Sequence, residues 1–209
     1  IRGALFKLYA ALVDRWFDFR HGVDTCRWAT LDQLHIVGTN KSHGHRYEPA
    51  RIVVIRQLLR QIRSLVPPES VVGELGSGKG RVLQIAAECG FTAATGVEFA
   101  SELCEIAREN CLTYQRKTKC AAQFRFVEGD VVAYDIGEHD HVFVLSNPFD
   151  DTVMENVIGR LSASLVRHPR RILVCMYNMS SNELVARTPG FHIVEDVDRY
   201  GYRTTIYSN

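Results

Sequence analysis

At 209 residues, with 46% apolar and 23% charged side chains, the chain has the composition of an ordinary globular protein that can bury a sizeable core. A formal net charge of +1 gives no electrostatic ground for long nucleic acid or an anionic membrane as a habitual partner, and no apolar run approaches the ~20 residues of a membrane span. The six cysteines form no C-x-x-C pair, so they read as reduced core residues in a cytoplasmic protein.

The chain begins at Ile1 rather than methionine, which reads as a fragment or processed form and leaves upstream targeting unreadable. Leu5, Leu8, Leu12 and Trp16, with Phe6, Tyr9, Val13 and Phe17, follow helical spacing, while Lys7, Asp14 and Arg15 fall on other faces. Few basic residues accompany them, so the expectation is a helix packed against the domain rather than one lying on a membrane or a partner. A loop rich in glycine and histidine follows over residues 38–49, and Pro49 is expected to open a helix that runs to about Ile62. Pro67 and Pro68 separate that helix from the first strand. The chain therefore divides into an N-terminal helical extension with a covering loop, residues 1–66, and a core, residues 67–209.

From Val71 onward strands and helices alternate. A strand from Val71 feeds a helix over 81–89, a strand over 94–97 and a long helix over 101–116, for which Ser101 is a candidate N-cap. Strands at 123–128 and 141–146 follow, then an amphipathic helix at 152–166, a buried strand at 171–177 and a short helix at 181–187. Segments 192–199 and 203–207 alternate and predict an antiparallel pair. The expected fold is α/β: a Rossmann-like, doubly wound, mostly parallel seven-stranded sheet with helices on both faces.

The sharpest motif is VVGELGSGKG at 71–80, followed about twenty residues later by Gly96-Val97-Glu98. Glycines at 76, 78 and 80 permit a sharp turn and let a ligand lie against the backbone. Three cofactors compete for such a loop. Dinucleotides want G-x-G-x-x-G, and here the third glycine comes one residue early. A P-loop wants Ser or Thr after G-x-x-x-x-G-K; residues 73–79 match, but Gly80 stands where the magnesium-binding hydroxyl belongs. Glu74 would repel a triphosphate and suits a ligand carrying sulfonium and ammonium charge. Glu98, ending the second strand, is placed to accept hydrogen bonds from two ribose hydroxyls.

With that loop and that acid the chain resembles the class I S-adenosylmethionine-dependent methyltransferases, whose first motif is (D/E)-x-G-x-G-x-G. The resemblance spans roughly residues 47–209 and implies S-adenosyl-L-methionine as cofactor. Glu74 would face the methionyl ammonium, Gly76, Ser77, Gly78 and Gly80 would form the loop, and Phe99 would flank the adenine. Asp130 would meet the adenine amine or simply form a turn after Gly129, and Val131 would pack on the ring. Lys79 works against the helix dipole and is expected to face solvent.

Asn147-Pro148-Phe149 resembles the (D/N/S)-P-P-(Y/F) motif of amino-group methyltransferases, with one proline missing and Asp150 following. In that motif an Asn carbonyl holds the target NH2 and an aromatic ring packs on it; the competing reading is a turn into a helix capped by Asp150 or Asp151. Tyr47, Glu48 and Pro49 resemble the segment of the non-SET lysine methyltransferases that folds over the cofactor, with Tyr47 or Glu48 orienting an amine. The catalytic candidates are thus Asn147, Pro148, Phe149 and Tyr47, with Asn147 also beside the cofactor. His43-x-His45 and His139-x-His141 lack a partner at zinc spacing, the second pair reads as a solvated strand edge, and no metal is assigned. The expected activity is methyl transfer to an amino nitrogen, a protein amine before a small molecule or nucleic acid. The alternatives are a small-molecule O- or C-methyltransferase and a non-catalytic S-adenosylmethionine-binding module.

Overall fold

A computed structural model describes residues 2–179 and 182–209. Its strands are β1 (Val71–Leu75), β2 (Ala93–Glu98), β3 (Gln123–Glu128), β4 (Asp140–Leu145), β5 (Leu173–Tyr177), β6 (His192–Asp198) and β7 (Arg203–Ser208). They form one seven-stranded sheet, as the sequence pattern predicts, in the order β3-β2-β1-β4-β5-β7-β6. The first five run parallel; β7 is antiparallel to both β5 and β6. Every residue of β4 and β5 is buried, which is why DHVFVL and LVCMY read as nearly unbroken apolar runs. The edge strands β3 and β6 alternate or stand open instead.

The α-helices are α1 (Arg2–His21), α2 (Ile52–Ile62), α3 (Arg81–Glu88), α4 (Ser101–Thr118), α5 (Asp151–Arg167) and α6 (Asn182–Arg187). Ser181, the expected start of α6, lies outside the described residues. Along β4, Val142 and Val144 join a core with α2, α3 and Phe17 of α1, while Phe143 and Leu145 join a second core with α5 and Val185 of α6. The two-residue period of the strand thus feeds two layers of helices.

Several local expectations are corrected. Helix α2 begins at Ile52, three residues beyond Pro49, because residues 44–50 are spent on contacts across the site. Ala100, not Ser101, is the N-cap of α4; the Ser101 hydroxyl donates to Glu128 at 2.7 Å instead. Asp150 caps α5, accepting from the amides of Thr152 and Val153. His141 is buried with Nδ1 2.8 Å from the His139 carbonyl, whereas His139 is exposed, so the two histidines do not share a solvated edge.

Only one of the two apolar stripes of α1 packs. Phe6, Val13 and Phe17 of that stripe face the domain together with Ala10, while its Tyr9 is 56% exposed; burying Phe17 alone contributes about 2 kcal/mol. Leu5, Leu8, Leu12 and Trp16 remain 58–61% exposed.

A buried ionic cluster joins α1 to the core. Asp14 accepts from Arg51 Nη1 (2.9 Å) and the Ile52 amide (3.0 Å), and lies 3.3 Å from Arg81 Nη1. Arg81, 3% exposed, also donates to Thr25 Oγ1 at 2.8 Å and the Ala50 carbonyl at 2.9 Å. Truncating one member of such a set strands its partners in a low-dielectric site. Arg81→Met should therefore cost about 3 kcal/mol, read as a lower urea midpoint at unchanged slope. An unchanged midpoint would remove Arg81 from the framework.

Candidate functional site

The strand order reverses direction between β1 and β4, and the site lies at the carboxyl ends of those strands, where doubly wound sheets open a crevice. Gly76, Gly78 and Gly80 take left-handed conformations, φ 86°, 51° and 76°. The amides of Gly76 and Ser77 donate to the Val97 carbonyl at 2.9 and 3.0 Å, which ties the loop to the end of β2. A Cβ on Gly76 would stand 2.3 Å from Pro148, and one on Gly78 would stand 2.2 Å from the Tyr47 ring. Both glycines are required by close approach as well as by dihedral angle.

Glu98 is buried and does structural service: its carboxylate accepts from the Gly78 amide at 2.7 Å and the Ala100 amide at 3.0 Å. A carboxylate offers about four acceptor positions, so capacity remains for other donors. Burial pushes its pKa up to about 7 despite those amides. Glu74 is 4% exposed, and its Oε2 has no hydrogen-bond partner among the described residues. Burial, then the nearby Glu98, push Glu74 well above the usual carboxylate range, with Arg81 opposing. The buried hydroxyls of Ser77 and Ser146 also lack hydrogen-bond partners among the described residues. Polar atoms of this kind, beside a backbone bared by glycines, fit a polar ligand with cationic character.

Residues 26–50 form a strap across this crevice. Ala29 pairs with Tyr47, Ile36 with Ala100 and Gly44 with Phe149 as isolated antiparallel bridges. The His45 amide donates to the Pro148 carbonyl at 2.9 Å, and His45 Nδ1 lies 3.0 Å from the Asn147 carbonyl. His43 Nδ1 lies 2.8 Å from Asp150, and Asn40 donates to Asp130 at 2.7 Å.

The predicted site residues fall into three places. Tyr47, Glu48, Glu74, Gly76, Ser77, Gly78, Glu98, Phe99, Asn147 and Pro148 converge on the central cleft. A narrow inner hollow lies between Phe99, Asp130, Val131, Pro148, Phe149 and Val153. An outer cleft opens beside them, lined by His45, Glu48, Arg51, Asn147, Tyr177 and Asn178. Asn147 borders both the central and the outer cleft; its φ is 55°, and its side-chain amide makes no hydrogen bond among the described residues.

Four expectations change here. Gly80 does not line the cleft: it caps α3, and a Cβ there would meet Ala107 of α4 at 3.1 Å, so its glycine serves helix packing. Lys79 is buried, not solvated, with Nζ 3.0 Å from Asp24, because the chain leaving α1 passes directly over it. The Tyr47 hydroxyl points inward and donates to the Thr25 carbonyl at 2.8 Å. Burial pushes that phenol far above its ordinary range, so Tyr47 holds the strap down rather than orienting an acceptor. Phe149 is 5% exposed and lines the inner hollow, not the outer cleft. Asp130 both caps a turn, accepting from Val132 at 3.1 Å, and borders the hollow.

Sequence reasoning missed Arg81, Thr25, Asp14 and Asn40. Arg81 left one signal: it opens a helix, RVLQIAAE, whose first two turns are largely apolar, with no acid within four residues to pair it. The partners come from 31 to 67 positions away, beyond any local pattern.

The strand order, the reversed final pair and the glycine loop between β1 and α3 together define the class I methyltransferase fold. No known protein family matches the chain by sequence, and no curated protein does. Among solved structures it is similar to an RNA methyltransferase from Salinibacter ruber in complex with S-adenosyl-L-homocysteine (22% identity, 77% of this chain and 92% of that one, TM-score 0.57). It is similar also to a ribosomal protein methylase from Lactobacillus delbrueckii subsp. bulgaricus (14%, 76% and 78%, TM-score 0.57). A third is the magnesium protoporphyrin IX methyltransferase from Synechocystis PCC 6803 with bound SAM (14%, 75% and 78%, TM-score 0.55). What the chain shares with them at these identities is the fold.

Proposed function

We propose that the chain is an S-adenosylmethionine-dependent methyltransferase acting on an amino nitrogen, with a protein amine as acceptor. The observation that carries this is the buried Glu74 carboxylate with a partnerless oxygen, set at the start of a loop of left-handed glycines and one strand away from Glu98. When bound, S-adenosylmethionine supplies a methyl group on a sulfonium, a good leaving group, so alignment and disposal of a proton are what remain for the protein. Glu74 would face the ligand's positive charge, and Gly76 and Gly78 would admit it to the backbone. Glu98 would accept ribose hydroxyls on its remaining acceptor positions while still holding the Gly78 amide. The inner hollow, with Phe99 and Val131 on its walls and Asp130 at its border, suits a flat purine.

Asn147, at the end of β4 between central and outer clefts, would accept a hydrogen bond from the acceptor nitrogen and aim its lone pair inward. Glu48 has a side chain 59% exposed and borders the same two clefts, where it suits an ammonium that must lose its proton. This carboxylate favours an amine over an oxygen or carbon acceptor.

Calorimetry tests the reading and carries a pH signature. Glu98 titrates near 7 when buried, against 4.5 ordinarily, so between those values the folded chain holds a proton the unfolded chain has released. Stability of the ligand-free chain should accordingly fall as pH rises from 4.5 to about 7. Ribose hydroxyls and a cationic ligand prefer ionised Glu98 and Glu74, so affinity should run the other way. Micromolar S-adenosylmethionine binding at pH 8, no NAD binding, and a loss approaching about tenfold per unit below pH 7 are expected. No binding, or binding of NAD instead, overturns the cofactor; formation of S-adenosylhomocysteine with an added protein acceptor separates an enzyme from a binding module.

A further inference from the structure

We propose that the outward face of α1 docks the protein onto an anionic lipid surface. Leu5, Leu8, Tyr9, Leu12, Trp16 and Phe19 are 56–77% exposed. At 100° per residue they fall within one sector of the helix, centred about 120° around from Phe6, Ala10, Val13 and Phe17, which face the domain. From Leu5 to Phe19 the stripe is about 21 Å long. Apolar side chains on both faces are unusual for a surface helix, which normally turns polar groups outward.

The charges of α1 are sorted as well. Its two acids both turn inward. Asp14 is buried against Arg51 and Arg81, and Asp18 accepts from the Thr25 amide and hydroxyl and the Cys26 amide at 2.6–2.8 Å. Its cations Arg2, Lys7, Arg15 and Arg20 are all exposed. By helical angle, Arg15 borders one side of the apolar stripe, and Arg2 and Arg20 border the other. The net charge of +1 conceals this, because the compensating acids are spent inside the fold or elsewhere on the surface.

Such a face matches a lipid headgroup layer. Leucine and phenylalanine enter the acyl boundary, tryptophan and tyrosine suit the interface, and flanking arginines reach anionic headgroups while their stems lie along apolar surface. A second copy fits less well: a symmetric contact would oppose the same exposed cations, with no exposed acid on the helix to pair them. No helix among the described residues is long and apolar enough to cross a membrane, so contact would be interfacial.

The test uses vesicles of phosphatidylcholine containing about 30% phosphatidylserine, with phosphatidylcholine alone as control. The chain has two tryptophans, so Trp28→Phe leaves Trp16 as sole reporter. Co-sedimentation with anionic vesicles, a blue shift of Trp16 emission, and weakening by at least about tenfold at high salt or on neutral vesicles are expected. Leu8→Glu with Leu12→Glu should abolish binding while circular dichroism and the urea midpoint stay unchanged, since both side chains are exposed. Arg15→Glu with Arg20→Glu should weaken it at least about tenfold. Absence of vesicle binding by the folded chain overturns the proposal, as does equal binding by the Leu8/Leu12 variant. A concentration-dependent dimer in sedimentation velocity, lost in that variant and without vesicle binding, would assign the face to self-association instead.

Discussion

Gly78→Val is expected to abolish S-adenosylmethionine binding, raising Kd on the order of a thousandfold, or about 4 kcal/mol. Two costs coincide at this residue. Its φ of 51° is left-handed, which a β-branched side chain resists, and a Cβ would stand 2.2 Å from the Tyr47 ring. Valine must therefore push Tyr47 and the strap outward, which opens the cleft, or swing the loop itself, which takes the Gly78 amide from Glu98. The urea midpoint distinguishes loss of the site from loss of the fold. Gly80→Ala provides the contrast, since its methyl meets Ala107 rather than the cleft. That variant should be less stable yet bind S-adenosylmethionine within a few-fold of the parent. Normal binding by a folded Gly78→Val chain would refute the placement of the cofactor on this loop.

Asn147→Ala is expected to lower the rate of methyl transfer by a hundredfold or more, about 3 kcal/mol, with S-adenosylmethionine affinity changed only a few-fold. Its side-chain amide makes no hydrogen bond among the described residues, so its removal strands no partner, while its backbone is held by His45 on one side and Pro148 stands against Gly76 on the other. Alanine adds strain at φ 55°, a conformation that asparagine tolerates better. Asn147→Gly relieves that strain and still lacks the amide, so both variants should lose the same catalysis while differing in stability. Transfer of a tritiated methyl group to protein acceptors reads the rate. Parallel loss of rate and cofactor affinity would mean that Asn147 supports the cofactor rather than the acceptor.

The placement of Phe149 shows why the motif was only partly legible. The run Asn147-Pro148-Phe149 was readable as the end of a strand beside a site, and Asp150 as a helix cap. Which way the aromatic turns depends on the bridge from Gly44 to Phe149, a contact made by the strap more than a hundred positions earlier. Tyr47 has the same history. Its position two residues before Pro49 signalled a covering segment, but its hydroxyl goes to Thr25, which lies there because α1 delivers residues 24–26 over the start of α3.

By itself, the sequence determined what depends on near neighbours along the chain: the succession of strands and helices, the glycine turn after β1, the acids near the carboxyl ends of β1 and β2, and the final reversed strand pair. Those follow from period-two and helical patterning and from the dihedral freedom of glycine, all carried within about ten residues. Tertiary structure decided what depends on distant groups meeting in a low dielectric. It buried Lys79 against Asp24 and gathered Asp14, Arg51 and Arg81 into one cluster. It turned Glu98 into the brace of the glycine loop and left one face of α1 packed and the other open. A buried charge is tolerable only where a partner arrives, and the partner's distance along the chain leaves no local trace.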